Sequence, residues 1–399
     1  MIHISERLAN VSDSATLAMS QKSRELQAQG HNIINLSIGQ PDFNTPRHIK
    51  EAAKKAIDDN YSKYTPVPGL PLIREAVCAK LKRDNKLLFE PSQIVVSNGA
   101  KQSIANVLLS LVGLGDEVIV PAPYWVSYIE MVNLAQGTNV VIKAGLQQDF
   151  KITPAQLEKA ITPRTKVFLF SSPSNPTGSV YSKSELKALA DVFAKYPHVI
   201  VVSDEIYELI NFGGKHESIA QFEEVRDRVV VVNGVSKGYA MTGWRIGYIA
   251  GPQWIAGACN KLQGQYTSGA CAISQVAAAA ALTQTQEPSH KMKEVFLRRR
   301  DMVVQMAREI KGMKVNVPKG AFYLFPQVDS YFGTSYEDFR VDDADSLAMY
   351  LLQKGGVATV SGAAFGSPEC LRFSYAASDE QLVEAMQRIK KALEKLRKI

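Results

Sequence analysis

From about residue 45 to residue 290, short apolar runs alternate with amphipathic stretches, and that alternation leaves few folds open. The strand candidates are Ile94–Ser97, Glu117–Val120, Asn139–Ile142, Val167–Phe170, Val199–Ser203, Val229–Val232 and Gly247–Ala250. Helical periodicity separates several of them, as in Lys101–Leu111 and in Ser184–Lys195 after a serine cap. Strand and helix in alternation predict an α/β fold with a doubly wound, mainly parallel seven-stranded sheet. Five consecutive alanines at 277–281 mark a helix packed closely against another element. Residues 294–311 read as a long helix, 313–325 and 357–375 as short strands around turns, and 378–397 as a final amphipathic helix. A chain of 399 residues is long enough for two domains. The expected division is a large domain over 46–290 and a smaller α+β domain made from 1–45 with 291–399.

The bulk numbers narrow the function. With 46% hydrophobic and 21% charged residues, the chain has the balance of a globular protein. No apolar run reaches the length of a membrane span, and the start, Met1-Ile2-His3-Ile4-Ser5-Glu6-Arg7-Leu8, lacks the layout of a secretory signal. A cytoplasmic protein with no membrane partner is expected. The net charge of +7 is mild, and the basic clusters at 291–300 and 390–398 carry apolar residues at helical spacing. They read as solvated helix faces, so no nucleic-acid partner is expected. The four cysteines stand far apart and show no metal-ligand spacing with the six histidines, so no metal site is expected.

The chemistry collects where strands end. Val229–Val232 leads into Asn233-Gly234-Val235-Ser236-Lys237, and a lysine at the carboxyl end of a buried strand can form a Schiff base with a carbonyl. Arg245, eight residues on, can hold a phosphate. Ile94–Ser97 runs into Asn98-Gly99-Ala100-Lys101 and a helix start, where free amides make an anion seat or an ordinary turn. Trp125, after Pro121-Ala122-Pro123-Tyr124, can stack on a flat ring or sit in the core. Ser171-Ser172-Pro173-Ser174-Asn175-Pro176-Thr177-Gly178 is a loop stiffened by two prolines, with an Asn-Pro bond open to the cis form. Val199–Ser203 delivers Asp204, a carboxylate that needs a cation, a metal or a salt bridge if buried. Arg372, in Cys370-Leu371-Arg372-Phe373-Ser374-Tyr375, suits a two-pronged grip on a carboxylate or a structural ion pair.

Taken together, Asn175-Pro176-Thr177-Gly178, Ser203-Asp204-Glu205-Ile206-Tyr207, Ser236-Lys237 with Arg245, and Arg372 resemble the fold type I pyridoxal phosphate enzymes, specifically the class I and II aminotransferases. The resemblance runs nearly end to end. It implies pyridoxal 5'-phosphate as cofactor, small amino-acid and 2-oxo-acid substrates, and a homodimer with shared active sites. Residue by residue, it implies that Lys237 bonds the cofactor and moves the proton, and that Asp204 pairs with the ring nitrogen. Tyr207 and Asn175 would bond the phenolic oxygen, and Trp125 would stack on the ring. Gly99, Ala100, Lys101, Ser236 and Arg245 would hold the phosphate, with Tyr64 reaching that of the neighbouring subunit. Gly39 and Arg372 would meet the substrate carboxylate. Gly234 stands where many relatives have a serine, and Ser174 where many have an asparagine.

Within the family, the chain is most similar to the bacterial aspartate aminotransferases of the prokaryotic subgroup. That likeness implies Lys101 as the grip on the distal carboxylate, with Ser14 and Thr16 closing over it. The implied reaction is ping-pong transfer of the amino group from L-aspartate to 2-oxoglutarate, giving oxaloacetate and L-glutamate. Aromatic, prephenate or broad specificity is the alternative. A lyase or synthase on the same scaffold and a non-catalytic regulator are more distant readings. The polar segment 263–269 is expected to line the site from one of the two subunits.

Overall fold

The computed structural model describes residues 4–399. Seven strands make the large sheet: β1 (Ile94–Asn98), β2 (Glu117–Ala122), β3 (Thr138–Lys143), β4 (Thr165–Ser171), β5 (Ile200–Asp204), β6 (Val229–Gly234) and β7 (Ile246–Ala250). Their order is β1-β7-β6-β5-β4-β2-β3. All pairings are parallel except those of β7, which runs against both neighbours. The parallel strands therefore end along one edge, and β7 starts there. Arg245, just before β7, arrives at the same edge as the residues that follow the other strands.

The central strands are apolar throughout because both faces are covered. Successive side chains point to opposite faces. Val229 and Val231 pack among the helices Arg47–Asp58, Pro71–Lys80, Lys183–Ala194 and Ala272–Thr283. Val230 and Val232 pack among Ala100–Leu111, Ser127–Leu134 and Gln253–Tyr266. The alanines 277–281 are buried in Ala272–Thr283, which lies against Arg47–Asp58 and Pro71–Lys80; small side chains let these helices approach. Helix Lys183–Ala194 opens on a capping box, Ser182 with Glu185, as its sequence predicts.

A separate core joins both chain ends. Helices Glu287–Arg308, Ala344–Gly355 and Asp379–Leu393 cover short strands, including Tyr323–Leu324, Val360–Ser361 and Leu371–Ser374, which pair antiparallel. Ile34–Asn35 pairs with Val357–Ala358 and ties the N-terminal segment in. The division at 46–290 and 1–45 with 291–399 stays a proposal, residues 1–3 lying outside the described residues, and the second core also takes in Tyr207 and Ile210. Helix Glu287–Arg308 crosses the boundary at 290. Of the stretch 313–325, only Tyr323–Leu324 is a regular strand, while Lys314 and Gly320 make isolated bridges to Gln327 and Asn211.

Arg299, on that crossing helix, is nearly buried and holds both chain ends. It grips Asp42 with two bonds of 2.8 and 2.9 Å and Asp379 with one of 2.9 Å. The Arg299 bond, with help from Arg298, holds the Asp379 carboxyl below its usual range. A depressed carboxylate pKa contributes stability above the unfolded value and loses it as pH falls through the folded one. Arg299→Met is expected to lower stability by about 2 kcal/mol. Thermal unfolding should also show a shallower loss of stability below about pH 4 than the native chain.

Candidate active site

The strand ends surround a cavity of about 250 Å3. Its wall takes Asn175 from the loop after β4, Asp204 from the end of β5, Ser236 and Lys237 from the loop after β6, and Arg245 before β7. Ala100, Lys101 and Trp125 complete the sheet side, Gly39, Tyr323 and Arg372 the opposite side, and Ser14 and Thr16 the rim.

One end is shaped for an anion. Gly99 precedes helix Ala100–Leu111 at φ 81°, a conformation glycine adopts without strain. A side chain there would collide with the Arg245 guanidinium, so the missing Cβ lets the arginine lie against the helix start. Arg245 donates to Thr242 O at 3.0 Å and Asn98 O at 3.2 Å, which fixes it beside the first amides of the helix. Gly234 has its own reason. It pairs opposite Gly247, and a Cβ there would stand 2.7 Å from Ile246 O. A side chain there does not fit this close strand pairing. Thr242, which the sequence reading did not single out, presents a residue to the cavity near Arg245.

The middle holds two opposed ionisable groups. Asp204 is 4% exposed, and it accepts from Tyr128 Oη at 2.6 Å and from the Ile206 amide at 3.2 Å. Burial pushes its carboxyl up to about 6 against the pull of those bonds. Lys237 donates to Gly39 O at 2.6 Å. Burial, then the nearby Arg245 and Arg372 cations, bring its ammonium down to about 8. Such an amine is readily neutral and nucleophilic. Tyr207 Oη lies 2.7 Å from Tyr323 Oη.

The far end holds an arginine with no carboxylate. Arg372 is 1% exposed, lies over the rings of Tyr323 and Phe365, and donates to Asn175 Oδ1 at 3.0 Å and to Ser37 O. Its Nε is buried without a partner among the described residues, and burial lowers its pKa. A buried guanidinium in this state favours an incoming carboxylate. Lys101 lies over the Trp125 ring at 5.1 Å, and burial and then Arg245 lower its pKa.

The structure thus places most of the sequence-derived site residues around one cavity. Gly99 stands behind the wall, seating Arg245. Tyr64 is apart: it is 99% exposed and does not line the cavity of its own chain. Nor does segment 263–269, where Gln263 is wholly buried and bonds Ser97, Asn106 and two backbone carbonyls instead. The sequence reading missed Tyr128 and Tyr323. Tyr128 lies three residues after Trp125, in the first turn of helix Ser127–Leu134, and that nearness was the available signal.

Because the Asp204 pKa is raised in the folded state, the folded chain binds a proton that the unfolded chain releases between about pH 4 and pH 6. Stability therefore falls as pH rises through that window. In the ligand-free protein, Asp204→Asn is expected to remove a fall of roughly 3 kcal/mol over those two units. Unfolding by denaturant at pH 4 and pH 7 checks it. Tyr128→Phe should make the fall larger.

Residues 31–389 match the family described as aminotransferase class I and II. The chain is 48% identical to an aspartate/prephenate aminotransferase of Cereibacter sphaeroides over 392 residues, covering 98% of each. Among solved structures it is similar to the aspartate aminotransferase of Rhizobium meliloti, with a TM-score of 0.96, 38% identity and full coverage of both chains. It is also similar to that of Thermus thermophilus solved with maleate, with a TM-score of 0.92 and 38% identity over 98% of this chain and 100% of that one.

Proposed function

The chain belongs to the class I and II aminotransferases, and on that premise we propose that it is an aspartate aminotransferase using pyridoxal 5'-phosphate. It would move the amino group of L-aspartate to 2-oxoglutarate. The observation that carries this reading is the pair of cations without carboxylate partners among the described residues, Arg372 and Lys101, lining one cavity with Lys237.

The residues present fit the cofactor. The Gly99–Lys101 helix start with Arg245 suits its phosphate, and buried Asp204 lacks the cation that a protonated ring nitrogen supplies. When bound, the cofactor supplies a carbonyl for amino groups and a ring that draws electrons from the substrate's α-carbon. Lys237 Nζ, with its pKa brought down to about 8, is the group placed to accept and return the α-proton. Asp204, held by Tyr128, would hold the ring nitrogen by its negative charge. Arg372 takes the α-carboxylate in its planar fork. Lys101 takes the distal carboxylate, and a neutral side chain there leaves the ammonium unpaired. Ser14 and Thr16 at the rim exclude water.

Similarity to relatives named for aspartate supports the substrate. A second reading, acceptance of prephenate, is favoured by the Cereibacter sphaeroides relative, which carries both names. A homodimer fits Tyr64, whose full exposure suits a reach into the neighbouring subunit's phosphate site. The same arrangement leaves segment 263–269 to act across an interface, and unchanged aspartate kinetics in Tyr266→Phe would count against that.

The deciding experiment follows the bound cofactor by absorbance while aspartate, glutamate, phenylalanine, tyrosine, arogenate and alanine are added separately. Fast conversion by aspartate and glutamate alone is expected. Equal conversion by arogenate moves the assignment to the prephenate reading, and no conversion by any of them overturns transamination. Lys101→Met is expected to lower kcat/KM for aspartate by about tenfold to a hundredfold, the worth of a charged hydrogen bond, with little change for alanine.

A further inference from the structure

The end of β5 and the turn that follows send Asp204, Ile206 and Tyr207 to the cavity and two acids behind it. Glu205 and Glu208 are buried on the other side. Glu205 accepts from Ser203 Oγ at 2.9 Å and Ser218 Oγ at 2.6 Å, and lies 2.9 Å from His216 Nε2. Glu208 forms an ion pair with Lys80, both almost wholly buried. Asn85, at the end of the π-helical turn Leu81–Asn85, braces that pair: it accepts from Lys80 at 2.8 Å and donates to Glu208 at 3.2 Å.

One further bond leaves this cluster toward the site. Asn233 Nδ2 donates to Glu208 Oε2 at 2.6 Å, while Asn233 Oδ1 accepts from the Gly234 amide at 2.7 Å. Asn233 lies in β6, four residues before Lys237. None of these rear groups lines the cavity.

A buried ion pair is a weak source of stability, since desolvating both charges offsets their attraction. What it does supply is direction, because each remaining lone pair accepts only from a correctly placed donor. Here the carboxylate spans two elements that carry site residues: its own turn bears Asp204 and Tyr207, and its acceptor oxygen holds the end of β6. We propose that Glu208, anchored by Lys80, is a positioning residue that sets the Lys237 loop relative to Asp204 and Tyr207 through Asn233 and the Gly234 amide. The inference rests on the reading of the cavity as a transaminating site and concerns how that site is held.

The test compares holoenzyme carrying Asn233→Ala with holoenzyme carrying Asn85→Ala. Asn85 braces the same ion pair but has no bond to β6. Each is measured for thermal stability, for the visible circular dichroism of bound pyridoxal phosphate, and for kcat and KM with aspartate. Both variants should melt earlier. Only Asn233→Ala should reduce the dichroism and lower kcat about tenfold with a smaller change in KM, as expected when reacting groups are displaced. Asn233→Ser, whose hydroxyl is too short to span both partners, gives the same readouts if the alanine variant does not fold. Equal behaviour of the Asn233 and Asn85 variants, or lowered melting with native dichroism and kcat, overturns the proposal. If the native holoenzyme converts no amino acid, the functional reading falls, while the dichroism comparison still judges the positioning role.

Discussion

Charge held in a dry crevice without its counter-ion is the condition on which the rest of this structure depends. Asp204 and Arg372 are buried and Lys237 is half-buried, and burial is the largest influence on each. The carboxyl is pushed up, the ammonium down and the guanidinium down. Each direction records a group whose charged form lacks a full set of partners. Groups in that state are costly to the fold and receptive to a ligand that completes them.

Behind the same turn the opposite arrangement holds. Glu208 has Lys80, Asn85 and Asn233, and its carboxyl is held down by Lys80 despite burial. Glu205 has two hydroxyls and His216. Asp204 and Glu205, adjacent in the chain, thus meet different surroundings. The front pair of side chains is left open for chemistry, and the rear pair is closed by hydrogen bonds. The contrast gives the site both reactivity and a rigid support.

Sheet topology turns these local features into one cavity. Parallel strands bring their following loops to a single edge, and the reversal of β7 brings Arg245 there from the other direction. Close packing then sets distances. Glycine at 99 admits Arg245 against the helix start, glycine at 247 lets β7 lie against the backbone of Gly99 and Ala100, and glycine at 234 lets β6 pair with β7 where a side chain would collide. The departure at Gly234 is thus a matter of space between strands, with the anion seat served by other donors.

Much of this was legible in the sequence because its signals are local. Apolar runs mark buried strands, periodicity marks helices, and polar residues just past a strand mark the functional edge, so Lys237, Asp204 and Arg245 stood out. Tyr128, Tyr323, Glu208 and Lys80 did not, since their meaning lies in contacts across long separations. Lys80 and Glu208 are 128 residues apart, and Tyr128 and Asp204 are 76 apart. Tyr64 and segment 263–269 do not line the cavity of their own chain, and the roles expected of them, at the neighbouring subunit's phosphate and at the site from one of the two subunits, concern a second copy. The sequence by itself determined which residue types reach the sheet edge and in what order. Only the tertiary structure decided which charges are left unpaired and which are neutralised, because that balance depends on burial and on partners that no local pattern encodes.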